Sequence, residues 1–354
     1  MKPVSDLLTI LIPTGERPHF LARLLRYASS VSFPWSIVLV DDASAASRDA
    51  TSRLVKQFQS DLQLRCILLD TKKPLIRKIA DALSEVQTPY TVLGADDDFF
   101  SRSGLQAALN WLSEHDDYSI VHGNAVVFHL GDELVHGPIK SVVRYRQLSN
   151  EHASASERLQ THWENYSTTW YSLERTAQLS RNWHKAAELD LDLRFGEFLP
   201  STLSILQGKA KALSAFYFAR QGHSLRVSAG DALKEFEWIS SSTWASQYHR
   251  FRQCISEELM NTDRIALDAS QMFVDRNFAV LIAQRLQRQI KARQRSPLRQ
   301  RIASLTGLRM AAYFVKRWKP AENPERNWQR LAGGWTDDIQ SMCNCITHCS
   351  SNSW

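Results

Sequence analysis

The sequence predicts an α/β protein, with a mostly parallel sheet in roughly the first 225 residues and a mainly helical region after it. Three observations lead there. Short apolar runs alternate with amphipathic stretches, the pattern of βαβ units around a parallel sheet. Three of those runs end in polar groups, placed where the carboxyl edge of such a sheet gathers ligands. Beyond about residue 230 the strand-like runs stop and helical periodicity takes over.

LLTILIP (7–13), SIVLVDD (36–42) and TPYTVLGA (88–95) read as buried parallel strands, with LRCILLD (64–70) as a weaker fourth. Helical patterns lie between them at 19–30, 46–59 and 76–86. A helix (104–115) and a strand (118–130) follow, then a polar and aromatic stretch (131–185) that carries Trp163, Trp170, Tyr171 and Trp183. EFLPSTLSILQGK (197–209) reads as a helix and KALSAFYFAR (211–220) as a strand. A boundary near 226 gives a domain over 1–225, a helical, basic region over 226–335 and a flexible polar tail over 336–354.

The 354 residues suffice for one large or two ordinary domains, and 44% hydrophobic with 23% charged residues is the balance of a soluble globular protein. No stretch approaches the roughly 20 apolar residues that span a bilayer. The apolar run from Leu7 to Ile12 reads as a first strand rather than a signal peptide. Five cysteines do not make a disulfide framework, which points to the cytoplasm. The net charge of +6 is unevenly spread: Arg276 to Ala321 holds twelve Lys and Arg and no Asp or Glu, while the remainder holds 31 basic and 37 acidic residues. Interleaved with Leu, Ile, Met, Phe and Trp, the basic segment 276–321 suits an anionic membrane surface on the inner face of the cell membrane. Docking on the acidic remainder is an alternative, and nucleic acid a weaker one. Cys343, Cys345, His348 and Cys349 are zinc-type ligands at a spacing too cramped for an ordinary structural site.

TPYTVLGADDDFF (88–100) poses the chemical question. In an extended segment Asp96 and Asp98 share a face about 7 Å apart. At an effective dielectric near 20 they repel by roughly 2 kcal/mol. Water, a basic partner or a bound cation must offset that cost. Alone, the run reads equally well as a solvated turn or a cap for the next helix. Together with Pro13-Thr14 and Asp41-Asp42 it forms three strand-end groups facing one crevice.

IPTGERP, VLVDDAS and TPYTVLGADDDFF, in that order, resemble the signatures of nucleotide-sugar-dependent glycosyltransferases of the GT-A fold, family 2 type. FGEFLPSTLSILQGKAKALSAFYFARQGHS resembles that family's acidic catalytic motif with its following helix, glycine, strand and Arg…His ending. The resemblance covers roughly residues 5–225. It departs at Gly15, where an aromatic residue is frequent, and it leaves two registers for the D-x-D pair, Asp96-Asp97 or the outer Asp96 and Asp98. The second is preferred, because it keeps two carboxylates on one face.

The resemblance implies a Rossmann-like GT-A domain and a metal-dependent, inverting sugar transfer to a glycan or lipid-linked acceptor in cell-surface polysaccharide synthesis. It implies Mn²⁺ or Mg²⁺ held by Asp98 and Asp96, with His223 as a third ligand. A nucleotide-sugar donor would lie against Pro13, Thr14, Arg17, Asp42, Lys78, Asp96 and Asp97. Asp42 would accept from the base, and Lys78 would sit near the diphosphate, with Arg77 and Lys73 as options. Glu197 would be the base that takes the acceptor proton, with Asp190 and Asp192 as alternatives. Trp170 and Tyr171 are candidates to stack on the acceptor sugar. The rivals are a nucleotidyltransferase, which would show a glycine-rich loop where this chain has only Gly15, and a non-catalytic, membrane-associated scaffold.

Overall fold

The computed structural model describes residues 6–131, 135–222, 235–304, 323–334 and 336–348, with only the helical backbone over 292–304. Four strands open the sheet: β1 (Leu8–Thr14), β2 (Ser36–Asp41), β3 (Leu64–Leu68) and β4 (Tyr90–Leu93). They pair in parallel in the order β3-β2-β1-β4. Helices α1 (Pro18–Ser30), α2 (Ala45–Phe58) and α3 (Leu75–Leu83) make the crossovers. The expected strands and helices of this half are therefore present.

The sheet continues with strands of mixed direction. After β5 (Phe99–Phe100) and α4 (Arg102–Glu114) come β6 (Tyr118–His129), β7 (Ser141–Tyr145), α5 (Ala155–Glu164) and β8 (Leu173–Arg175). Then follow α6 (Thr176–Glu188), α7 (Leu193–Gln207) and β9 (Lys209–Gln221). β8 slots antiparallel between β4 and β6, and β9 runs parallel to β6. β5 pairs antiparallel with the far end of β9, and β7 pairs with β6.

Both faces of the sheet are covered, which is why β1 is apolar at nearly every position. Leu8, Ile10 and Ile12 point into a core shared with α1, α2 and α4, while Leu11 points into a second core shared with α3, α6 and α7. The helical region adds α8 (Glu235–Ile239), α9 (Trp244–Asp263) and α10 (Leu267–Ser304) to the second core. Phe251 and Phe278 of α9 and α10 lie 6.3 and 5.5 Å from the ring of Trp163 in α5. Hydrophobic packing thus runs across the position of the expected boundary at 226.

Two further helices follow: α11 (Pro324–Ala332), within the region expected to be helical, and α12 (Asp337–Thr347), within the stretch expected as a flexible tail. Both return to the first core, through Trp328, Ile339, Met342 and Ile346. Trp328 stacks on Phe128 of β6 at 5.6 Å. The polar composition hid an apolar stripe at helical spacing. Residues 349–354, with Cys349, lie outside the described residues, as does 305–321 of the basic segment.

Candidate active site

β4 runs up the middle of the sheet, and β5 crosses to pair with β9. The link between them, residues 94–98, is therefore held at the carboxyl edge of the parallel strands. It is a turn, closed by Asp98 N–H donating to the Ala95 carbonyl at 3.3 Å, and not an extended segment. The alternation expected for Asp96 and Asp98 is lost, and these two do not form the pair that shares a partner. Asp96 and Asp97 both reach Arg17: one guanidinium nitrogen contacts Asp96 and the other donates to Asp97 Oδ2 at 2.9 Å. Asp98 turns toward β9, where Gln221 N–H donates to its Oδ1 at 2.8 Å and the Tyr171 hydroxyl also donates to it.

All three aspartates are buried, with exposures of 1, 7 and 3% along the run. Charges that deep require partners, and the chain supplies arginines. Besides Arg17, Arg23 donates to the Asp97 carbonyl at 2.8 Å from a fully buried position against the Phe99 ring. Arg220, over the ring of Tyr171 at 5.4 Å, is the cation facing Asp98. Burial pushes the Asp96 and Asp98 carboxyls above the usual carboxylate range, while Arg17 and Arg220 respectively pull them back. Burial also brings the Arg23 guanidinium down to about 10.

The other strand ends join the same network. Thr14 Oγ1, at the end of β1, donates to Asp96 Oδ2 at 2.9 Å. Asp42, just past β2, accepts from Lys78 Nζ at 2.6 Å and from the Lys73 backbone N–H at 3.3 Å. Lys78 projects from α3 and also donates to the Thr14 carbonyl, so one buried ammonium ties β1, β2 and α3 together. Pro13 precedes Thr14 in β1 and is paired with Val40. Asp42 does not cap α2; the carboxylate of Glu16 accepts from Ser44 N–H, Ser44 Oγ and Ser47 Oγ at 2.6 to 2.8 Å instead. Of the alternative cations, Arg77 donates to the Ala187 carbonyl and Lys73 pairs with Asp81, leaving Lys78 as the one on Asp42.

Glu197 sits half-buried near the start of α7. Its charge adds to burial in raising the Tyr166 phenol well above the usual tyrosine range. Beside it, Gly196 packs on α3: a Cβ there would come within 1.7 Å of Ile76 Cδ1. The close approach sets the start of α7 against the helix that carries Lys78. Asp192 is used as the α7 cap, accepting from Arg194 and Phe195 N–H at 2.9 Å and from the Trp238 indole at 2.8 Å. Asp190 is exposed in a left-handed backbone conformation with φ 48°. His223 lies outside the described residues. Trp170 packs edge-on against Trp183, and Tyr171 stacks on Phe218 while bonding Asp98.

Mn²⁺ and Mg²⁺ take oxygen ligands, often one or two carboxylates plus phosphates. Asp98 accepts two hydrogen bonds and keeps lone pairs to spare. Asp96 has one oxygen on Arg17 and the other on Thr14. The turn fits an ion through Asp98, and through Asp96 and Asp97 once Arg17 is withdrawn. Among the described residues no group of three His, Cys, Asp or Glu side chains is arranged as a metal site.

Residues 9–170 match the model of Glycosyl transferase family 2. These residues carry a family 2-type glycosyltransferase domain, within a fold of the GT-A type. No curated protein matches it significantly in sequence. Among solved structures it is similar to S. aureus TarS 1–349 in complex with UDP-GlcNAc, at 17% identity and a TM-score of 0.50, over 78% of this chain and 73% of that one. It is also similar to the mannosyltransferase PcManGT from Pyrobaculum calidifontis in complex with GDP-Man and Mn²⁺, at 12% identity and a TM-score of 0.40, over 95% and 85% of the two chains. Two side chains beside the turn stand where the sequence did not place them, Arg23 and Tyr171; each meets the turn from far along the chain, with no local motif to mark its contact. Arg220, which faces Asp98, belongs to the Arg…His ending of the sequence motif.

Proposed function

We propose that this glycosyltransferase moves a sugar from a nucleotide-sugar donor to a hydroxyl of a glycan or lipid-linked acceptor, with inversion, in cell-surface polysaccharide synthesis. The observation that carries the reading is the joining of Thr14, Arg17, Asp42, Lys78, Asp96 and Asp97 in one network at the carboxyl edge of one parallel sheet, with Asp98 on the same turn. A sugar nucleotide combines a base, which offers hydrogen-bond donors, with an anionic diphosphate. Asp42 suits the first, and the Lys78 ammonium and Arg17 fork suit the second.

Glu197 is assigned as the base. It takes the proton of the acceptor hydroxyl while that oxygen bonds to the anomeric carbon, and the bond to the diphosphate breaks with its electron pair leaving on the phosphate. Lys78 and Arg17 stabilise that departing charge. A divalent ion, when bound by Asp98 with Asp96 or Asp97, would supply further neutralisation of the diphosphate; the assignment of His223 as a further ligand is part of this proposal.

Among the described residues no helix is long and apolar enough to cross a membrane. We place the basic segment against an anionic leaflet: α10 exposes Arg276, Arg288 and Lys291 beside Met272, Val280 and Ile290.

The test is thermal unfolding with a panel of UDP- and GDP-sugars, with and without Mn²⁺, followed by turnover assays. A donor at 100 times its dissociation constant should add about 2.7 kcal/mol of stability. The shift should vanish in Asp42→Asn and persist in Glu197→Gln, whose turnover should fall by on the order of 10²–10⁴. A folded protein that responds to no donor would refute the reading.

A further inference from the structure

The aspartate turn already carries a cation of the chain's own, placed where an ion would have to go. Arg17 spans Asp96 and Asp97 with its two terminal nitrogens. Arg23 and Arg220 are locked by their surroundings, the first fully buried and hydrogen-bonded to the Asp97 carbonyl, the second packed over Tyr145 and Tyr171. Arg17 is different. Its side chain is 18% exposed, and it leaves the backbone one residue before α1, where its own N–H is tied back to Gly15. Its guanidinium lies 5.3 Å from the face of Phe20, a surface along which it can shift while keeping its cation–π contact. A planar fork that bridges two carboxylates matches two phosphate oxygens equally well.

We propose that Arg17 and a divalent cation are mutually exclusive occupants of the Asp96–Asp97 carboxylates, and that the donor's diphosphate is what draws Arg17 away. The inference rests on the nucleotide-sugar reading above. A divalent ion beside the bridging guanidinium would meet like charge at close range and find one Asp96 oxygen already taken, with Thr14 on the other. The diphosphate resolves the conflict, since it supplies anionic oxygens both to Arg17 and to the ion. The donor-free enzyme is therefore a weak metal binder, and donor and metal bind with positive coupling.

The test is Mn²⁺ binding, read by electron paramagnetic resonance of the free ion, with no turnover required. Wild type, Arg17→Gln and Arg17→Lys are titrated without nucleotide and again with saturating UDP or GDP. Without nucleotide, Arg17→Gln should bind Mn²⁺ at least about tenfold more tightly than wild type, a difference of about 1.4 kcal/mol. Arg17→Lys, which keeps the charge, should stay near wild type. Adding the nucleotide that binds should raise wild-type affinity by a similar factor. Equal affinities of wild type and Arg17→Gln overturn the proposal. So does a wild-type Mn²⁺ affinity that stays flat while nucleotide binds, an arm that does not depend on any variant folding. Failure of every nucleotide to bind would instead remove the donor reading on which the proposal stands.

Discussion

Glu174 sits in β8, 2% exposed, with Ser204 Oγ donating to it at 2.6 Å. Burial pushes its carboxyl up to about 8, against the smaller downward pull of that hydrogen bond. The folded state therefore holds this proton over a range in which the unfolded chain has released it, so stability falls as pH rises from about 4.5 to about 8 and is level beyond. Glu174→Gln, which cannot ionise, should gain on wild type across that window, by on the order of a few kcal/mol at its upper end. Thermal unfolding of both at pH 4.5 and 8.5 checks it, and a gap that does not change with pH would refute it. Such a residue is silent in the sequence, because nothing local marks the depth at which it lies. Asp42 and Thr14 were legible from strand-end position alone, whereas Lys78, on α3, came only with the family resemblance. The aspartate run was legible as chemistry but not as geometry, since the turn that separates Asp98 from its neighbours is set by β5 pairing with β9.

At the level of elements, long periodic segments were readable and short ones were not. β8 has three residues and β5 two, too few for any alternation to show. α5 carried a signal that was missed: Ser154 and Glu157 form a reciprocal capping box at its start. α12 was missed for its polar composition, although Ile339, Met342, Cys343 and Ile346 repeat at helical spacing behind a Thr336 cap. This helix has a particular task. Asp338 accepts from Ser101 Oγ at 2.7 Å, Ser103 N–H at 2.9 Å and Ser103 Oγ at 2.8 Å, so its carboxylate caps α4 just beyond the aspartate turn. Asp338→Ala should cost about 1–2 kcal/mol in urea unfolding. A midpoint unchanged from wild type would show that Ser101 suffices alone.

For the molecule as a whole, the charge asymmetry was legible and its purpose was not. The basic segment begins within α10, whose inner side is fastened to the second core by Val274, Phe278 and Leu281. That fastening fixes which side of its described part is left outward. If it meets an anionic leaflet, each cation near the surface contributes about 1 kcal/mol. Arg288→Glu with Lys291→Glu should then weaken binding to phosphatidylglycerol vesicles by at least about tenfold, with no change on phosphatidylcholine. Co-sedimentation measures this, and wild type that ignores anionic vesicles would defeat it.

The bond between Ser101 and Asp338 joins residues 237 positions apart. A ribosome adding about 5–20 residues per second needs about 10–50 s to cover that distance. During that interval the nascent chain has its aspartates and lacks the anchor that closes the strand end beside them. This edge is thus closed by residues made long after its aspartates, and a chain interrupted or cleaved between residues 225 and 338 would carry every motif named above with its central turn unsecured.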